Sequence, residues 1–309
     1  MNPAPAPDLG TPAPPPPPRW RLWVDAARPK TLGAAFAPVL MGTALAYADG
    51  GLHLGAALCA LLGAVGIQVG TNFSNDYLDY LKGADAERVG PVRATQAGLA
   101  TPAQMRWAAT LAFGAAVVAG LYLILRGGWP VLALGVVSIA SGVLYTAGRY
   151  ALAYTGLADL FVLVFFGPVA VGGTYYVQTL DLTGAVVLAG LAPGLLSEAI
   201  LLVNNLRDQG GDARVRKRTL VVRWGRAFGT QAYAVSVLTP LLIPLVLVGM
   251  TGTGAGALAV WLLIPLMVRA IRTVWLSQDP QVLNPMLGRT GQLLLLYSVL
   301  FSIGWVLTA

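Results

Sequence analysis

The stretch LGAALCALLGAVGIQVGTNFSNDYLDYLKGAD, Leu54–Asp85, sets a lipid-like run against a polar one: its last 15 residues hold three aspartates and two asparagines. A helix needs about 20 mostly apolar residues to cross the hydrocarbon core. The stretch therefore reads as a transmembrane helix whose end is crowded with carboxylates. The rest of the chain agrees: of 309 residues 56% are hydrophobic and 11% charged, with 13 acidic groups and a mean hydropathy of +0.69. Soluble domains carry about a quarter charged residues. The expected fold class is an all-α integral membrane protein.

Nine apolar segments of suitable length follow one another at 31–49, 53–74, 103–125, 129–148, 156–178, 183–206, 228–250, 254–275 and 288–308. Nineteen of the 20 Lys and Arg residues fall before the first span, or on or flanking the loops after the even-numbered ones; Arg126 alone falls on the other side. The positive-inside rule then predicts a cytoplasmic N-terminus and an external C-terminus in a cell (inner) membrane. It also explains the net charge of +7 without nucleic acid as a partner, which would need a basic face on a soluble domain. Residues 1–25, proline-rich from 3 to 18, are expected to be a disordered, extended tail ahead of a transmembrane domain over 26–309. The single cysteine, Cys59, excludes a disulfide framework or a CxxC metal site.

Two echoes divide the chain. FAPVLMGT (Phe36–Thr43) resembles FGPVAVGGT (Phe166–Thr174), and the acidic end after the second span recurs as NNLRDQGGD (Asn204–Asp212) after the sixth. The offsets are nearly equal, which predicts two four-helix halves plus a ninth helix, with the functional site between the halves. At 100° per residue, Asn72, Asn75, Asp76 and Asp79 lie within an arc of about 100°. Asn204, Asp208 and Asp212 follow each other at i+4 and share a face as well. Facing one another, the clusters would hold four carboxylates around one cavity, where like charges repel unless a cation intervenes. Mg²⁺ takes one or two carboxylates and leaves positions for water and phosphate oxygens. Lys82, Arg88 and Arg93 follow the first cluster, and Arg207, Arg214, Lys217 and Arg218 surround the second. Carboxylates, metal and a cationic ring together describe a diphosphate site.

Asp85, past Gly83, is expected on a loop able to fold back; Asp159 begins the fifth span, and Glu198 lies within the sixth, a functional candidate by its depth. The GxxxG of Gly66 and Gly70 reads as helix packing. No P-loop, HExxH or GxSxG is present, so ATP hydrolysis, zinc proteolysis and esterase chemistry lack support.

The two acidic motifs over nine spans resemble the UbiA superfamily of intramembrane prenyltransferases, whose pattern is NDxxDxxxD with a second DxxxD. Asp208 and Asp212 match the second motif, whereas Gly83 departs from the first and an aspartate follows two residues later as Asp85. That variant, NDYxDxxKGxD, is similar to the branch that prenylates 1,4-dihydroxy-2-naphthoate in menaquinone synthesis, as is RVGPVRATQAGLATP (Arg88–Pro102). The resemblance runs from about residue 26 to the end.

The resemblance implies that one or two Mg²⁺ (Mn²⁺ substituting), held by Asp76, Asp79, Asp208 and Asp212, with Asp85 as a further candidate, bridge the diphosphate of a polyprenyl donor. It makes Lys82, Arg93, Arg207 and Lys217 candidates for neutralising the leaving group. Asn72, Asn75 and Asn204 join them as substrate-binding candidates, with Asn72 and Asn75 orienting metal ligands or phosphate oxygens. The prenyl cation would be attacked by the naphthoate ring, with loss of CO₂ and diphosphate, giving demethylmenaquinone; the isoprenoid tail would lie between helices, open to membrane lipid. The alternatives are a relative acting on hydroxybenzoate or homogentisate and, more remotely, a secondary transporter, which the one-sided placing of the polar residues disfavours.

Overall fold

The computed structural model describes residues 18–83 and 93–309, and every regular element among them is helical. Asp85 and Arg88 lie outside the described residues. The first helix, α1 (Arg19–Ala27), occupies part of the stretch expected to be tail. Its apolar side explains the difference: Leu22, Trp23 and Ala26 pack with Phe73, Trp23 meeting the Phe73 ring edge-on at 6.2 Å.

Ten helices follow: α2 (Pro29–Ala48), α3 (Leu54–Leu81), α4 (Pro102–Gly127), α5 (Trp129–Leu144), α6 (Leu152–Thr155), α7 (Ala158–Thr179), α8 (Gly184–Arg214), α9 (Leu220–Thr251), α10 (Ala255–Leu276) and α11 (Pro280–Thr308). Eight of them, α2–α4 and α7–α11, are long and apolar enough to cross a membrane; α5, at 16 residues, is a shorter apolar helix. Several helices overrun the apolar segments read from sequence, whereas α5 stops at Leu144, short of the segment read to 148. α3 continues to Leu81 and α8 to Arg214, so both acidic clusters sit on helix ends, as their spacing implied, and α11 begins at Pro280. Hydropathy reports only the part of a helix immersed in lipid, whereas hydrogen bonding carries the helix beyond it.

Small residues determine how the helices cross. A Cβ on Gly66 would lie 2.9 Å from Ala112 O, and one on Gly70 would meet the Phe113 ring, so the GxxxG of α3 is the contact with α4. Gly42 in α2 abuts Val171 O in α7, which places the two echoed segments against each other. Gly190 and Gly194 of α8 let α7 approach to backbone contact, where α7 widens into a π turn over Phe165–Val169 at Gly167 and Pro168. The main buried core is formed by α2 and α7–α11, including Met41, Leu196, Tyr297 and Phe301. The helices α3–α5 contribute only small satellite clusters with α1 and α7. A large cavity opens between these two groups.

Arg126, the cation on the minority side, donates Nε to Val177 O at 2.6 Å and Nη2 to Gln178 O at 2.8 Å. It satisfies carbonyls at the end of α7.

Candidate active site

The cavity has a volume of about 860 Å³. One end is lined by Asn75, Asp79, Arg93, Asn204, Arg207, Asp208, Asp212 and Lys217, from the ends of α3 and α8 and the segments after them. Its remaining wall is largely apolar, with Pro38, Val39, Ile67, Leu121, Phe161 and Phe165 among its residues. The helical faces read from the sequence thus meet as two clusters around one end of one space.

Each cluster is already neutralised within the chain. Arg93 Nη2 lies 2.9 Å from Asp79 Oδ2, and the Tyr154 hydroxyl donates to Asp79 Oδ1 at 3.2 Å. Arg207 donates Nε and Nη2 to the two Asp208 oxygens at 2.7 and 2.5 Å, Nη2 also to Asn204 Oδ1 at 2.7 Å, and Nη1 to Asn284 Oδ1 of α11 at 3.0 Å. Lys217 Nζ lies 3.3 Å from Asp212 Oδ1. A fork of this kind fixes a carboxylate's plane as well as its charge.

The asparagines sort by the atom each has left. Asn75 Oδ1 accepts the Thr146 hydroxyl, and Asn204 Oδ1 accepts Arg207, which leaves their N–H groups to donate. Asn72 is reversed: its Nδ2 donates to Ala27 O at 2.9 Å and Thr31 Oγ1 at 3.3 Å, which uses both N–H groups. Asn75 and Asn204 are therefore equipped to donate to phosphate oxygens, and Asn72 is not.

Two predicted residues stand elsewhere. Asp76 is 2% exposed, is not part of the cavity wall, and accepts the backbone N–H groups of Ala94 and Thr95 at 3.1 and 2.9 Å. It anchors the returning segment that carries Arg93 back to Asp79. Lys82 donates to Thr146 O and to Gly148 O at 3.1 Å and sits over the Tyr154 ring, 4.4 Å from its centroid, tying the end of α3 to the segment after α5. Burial draws the Lys82 ammonium below the ordinary lysine range, opposed by the Asp79 charge.

Tyr154 was not singled out from the sequence. Besides its bond to Asp79, its ring is approached by both Lys82 and Lys217, the latter 6.0 Å from the centroid. Its position in the polar segment before α7 was the one signal available. Arg28 and Thr31 also line this end, Arg28 in a left-handed conformation (φ 55°) at the α1–α2 junction. Asp159 is buried in the first turn of α7, where an acid suits the helix dipole, and neither Asp159 nor Glu198 belongs to the cavity wall.

Among the described residues, no three acidic, histidine or cysteine side chains stand close enough to hold a metal unaided. The wall nevertheless offers carboxylate oxygens from two helix ends, a hard all-oxygen set. It fits an ion that takes one or two carboxylates and completes its shell with phosphate and water.

Fold and site together define an intramembrane prenyltransferase: residues 35–306 match the model of the UbiA prenyltransferase family, and the chain belongs to that family. It is 36% identical over 294 residues to the 1,4-dihydroxy-2-naphthoate octaprenyltransferase of Haemophilus influenzae, covering 92% of this chain and 95% of that protein. With the octaprenyltransferase of the same name from Escherichia coli it shares 38% identity over 296 residues, covering 93% and 95%. A UbiA homolog from Archaeoglobus fulgidus, solved bound to GPP and Mg²⁺, shares the fold with a TM-score of 0.59 at 12% identity over 91% of this chain and 99% of that one.

Proposed function

We propose that this chain transfers a polyprenyl group from an allylic polyprenyl diphosphate to 1,4-dihydroxy-2-naphthoate, with loss of CO₂ and diphosphate, in menaquinone synthesis. The full-length similarity to octaprenyltransferases acting on that acid supports the acceptor. The observation that carries the chemistry is the meeting of two carboxylate–cation clusters at one end of an apolar cavity of about 860 Å³.

Asp79, Asp208 and Asp212 would hold Mg²⁺, with Mn²⁺ able to replace it; Asp76 acts from behind by fixing Arg93. When bound, such an ion supplies Lewis acidity toward the leaving diphosphate. The chain's own residues do the rest. Arg93, Arg207 and Lys217 offset the charge that builds on the departing oxygens, and Asn75 and Asn204 donate N–H groups to them. The apolar wall takes the polyprenyl tail and excludes the water that would capture the allylic cation. The ring carbon bearing the carboxyl attacks, a hydroxyl proton leaves, CO₂ departs, and the resulting enolate regains a proton. That balance leaves the product at the hydroquinone level; demethylmenaquinone is its two-electron oxidised form.

The same reading makes α5 the ninth crossing. Its N-terminal end meets Tyr176 and Val177 through Val131, and Thr146, just past its other end, binds Asn75 and Lys82. The site then faces the cytoplasm, with the N-terminus on that side of a bacterial inner membrane, and lipid borders the cavity helices.

Purified protein given a labelled polyprenyl diphosphate and 1,4-dihydroxy-2-naphthoate should form a decarboxylated prenyl naphthohydroquinone. Excess chelator should abolish turnover and added Mg²⁺ restore it. Undiminished turnover in chelator, or preference for hydroxybenzoate, would overturn the metal or the acceptor assignment respectively.

A further inference from the structure

Gln68 interrupts the apolar part of α3 and lines the cavity, eleven residues before Asp79. At 1.5 Å per residue this places it about 16 Å further in than Asp79 and about 6 Å further in than Asn72. A glutamine at such depth is costly unless its amide is used. Its Nε2 donates to Thr31 Oγ1 at 3.3 Å, which could be no more than interhelical bonding between α3 and α2.

The Thr31 hydroxyl decides otherwise. It lies 2.9 Å from Arg28 O, a carbonyl that can only accept, so the hydroxyl proton is committed there. The Thr31 oxygen can then only accept, and it receives N–H from both Asn72 and Gln68. One hydroxyl thus turns two amides the same way round. Both carbonyl oxygens remain, on residues that line the cavity at i and i+4, and neither receives a hydrogen bond from the described residues. The two residues stand about one helical turn apart along α3, a spacing comparable to that of the two oxygens of a para-dihydroxy ring.

We infer that Gln68, positioned by Thr31, binds the 4-hydroxyl of the aromatic acceptor, with Asn72 taking the 1-hydroxyl. This rests on the proposed acceptor. The carbon bearing the carboxyl must face the diphosphate end, where the cation forms, so the hydroxyl beside it lies near Asn72. The 4-hydroxyl, farther around the ring, points inward along α3 to Gln68. Both hydroxyls donate, as two fixed carbonyls require.

The test compares 1,4-dihydroxy-2-naphthoate as substrate with 1-hydroxy-2-naphthoate as competitive inhibitor, using full-length protein in detergent. The wild type should bind the monohydroxy acid about tenfold more weakly than the diol, as loss of one hydrogen bond requires. In Gln68→Leu that discrimination should vanish while KM for the prenyl donor is unchanged. Thr31→Val should weaken it and Thr31→Ser retain it, a contrast that a purely structural glutamine would not produce. Tenfold discrimination persisting in Gln68→Leu, or a parallel rise in donor KM, overturns the inference. If Gln68→Leu does not fold, the Thr31 pair decides: full discrimination in Thr31→Val refutes it. A wild type that forms no product from the diol would instead refute the acceptor assignment.

Discussion

Replacing Arg207 with lysine keeps the charge and removes the fork. The guanidinium spans Asp208, Asn204 and Asn284 at once, from a side chain with no solvent exposure. An ammonium is a point donor and cannot reach both Asp208 and, on α11, Asn284 in that geometry. At least two bonds to the guanidinium are lost, at about 1.5–3 kcal/mol each. The retained charge recovers part of this, leaving a net loss of about 2–4 kcal/mol. If the network preorganises the diphosphate end, that loss falls on the transition state, and kcat/KM for the prenyl donor drops roughly 30- to 1,000-fold. Initial rates at saturating acceptor measure it, with a detergent melting curve to separate misfolding from lost chemistry. Arg272→Lys, on the exposed side of α10, is the control and should change the rate less than twofold. If Arg207→Lys keeps more than a third of wild-type kcat/KM and melts normally, the fork is not what orients the leaving group.

Two further outcomes test the framework. A Cβ on Gly194 would lie 2.3 Å from Leu163 O and 3.0 Å from Gly167 Cα, so Gly194→Ala should force α7 and α8 apart and cost about 1–3 kcal/mol. Its melting temperature should fall by several degrees, whereas Gly114→Ala, with open space around it, should melt as wild type; equal melting of the two would refute the close-packed crossing. Reporters fused after Gly211 should read cytoplasmic, and those after Gly252 or at the C-terminus external, as the charge distribution requires. The reverse pattern would put the acidic helix ends on the wrong side for a cytoplasmic diphosphate.

Local rules made much of this protein legible. The apolar runs announced membrane helices because burying a backbone in lipid demands an unbroken helix. Helical periodicity put Asn72, Asn75 and Asp79 on one face and Asn204, Asp208 and Asp212 on another, because that geometry depends only on spacing. Spacing says which way a side chain points, not what will be there to meet it. Asp76 shares the face of Asp79, yet it binds the amides of Ala94 and Thr95, while Asp79 receives Arg93 and Tyr154. Lys82 follows the motif in sequence but bonds to carbonyls beyond α5, and Arg207 is locked by Asn284, 77 residues away. Several apolar segments stop short of the helix ends because hydropathy ceases to report where lipid ends, while the hydrogen-bond ladder continues into water. The orientation of the Asn72 and Gln68 amides depended on one threonine proton in α2, a constraint that exists only once α2 and α3 are packed together.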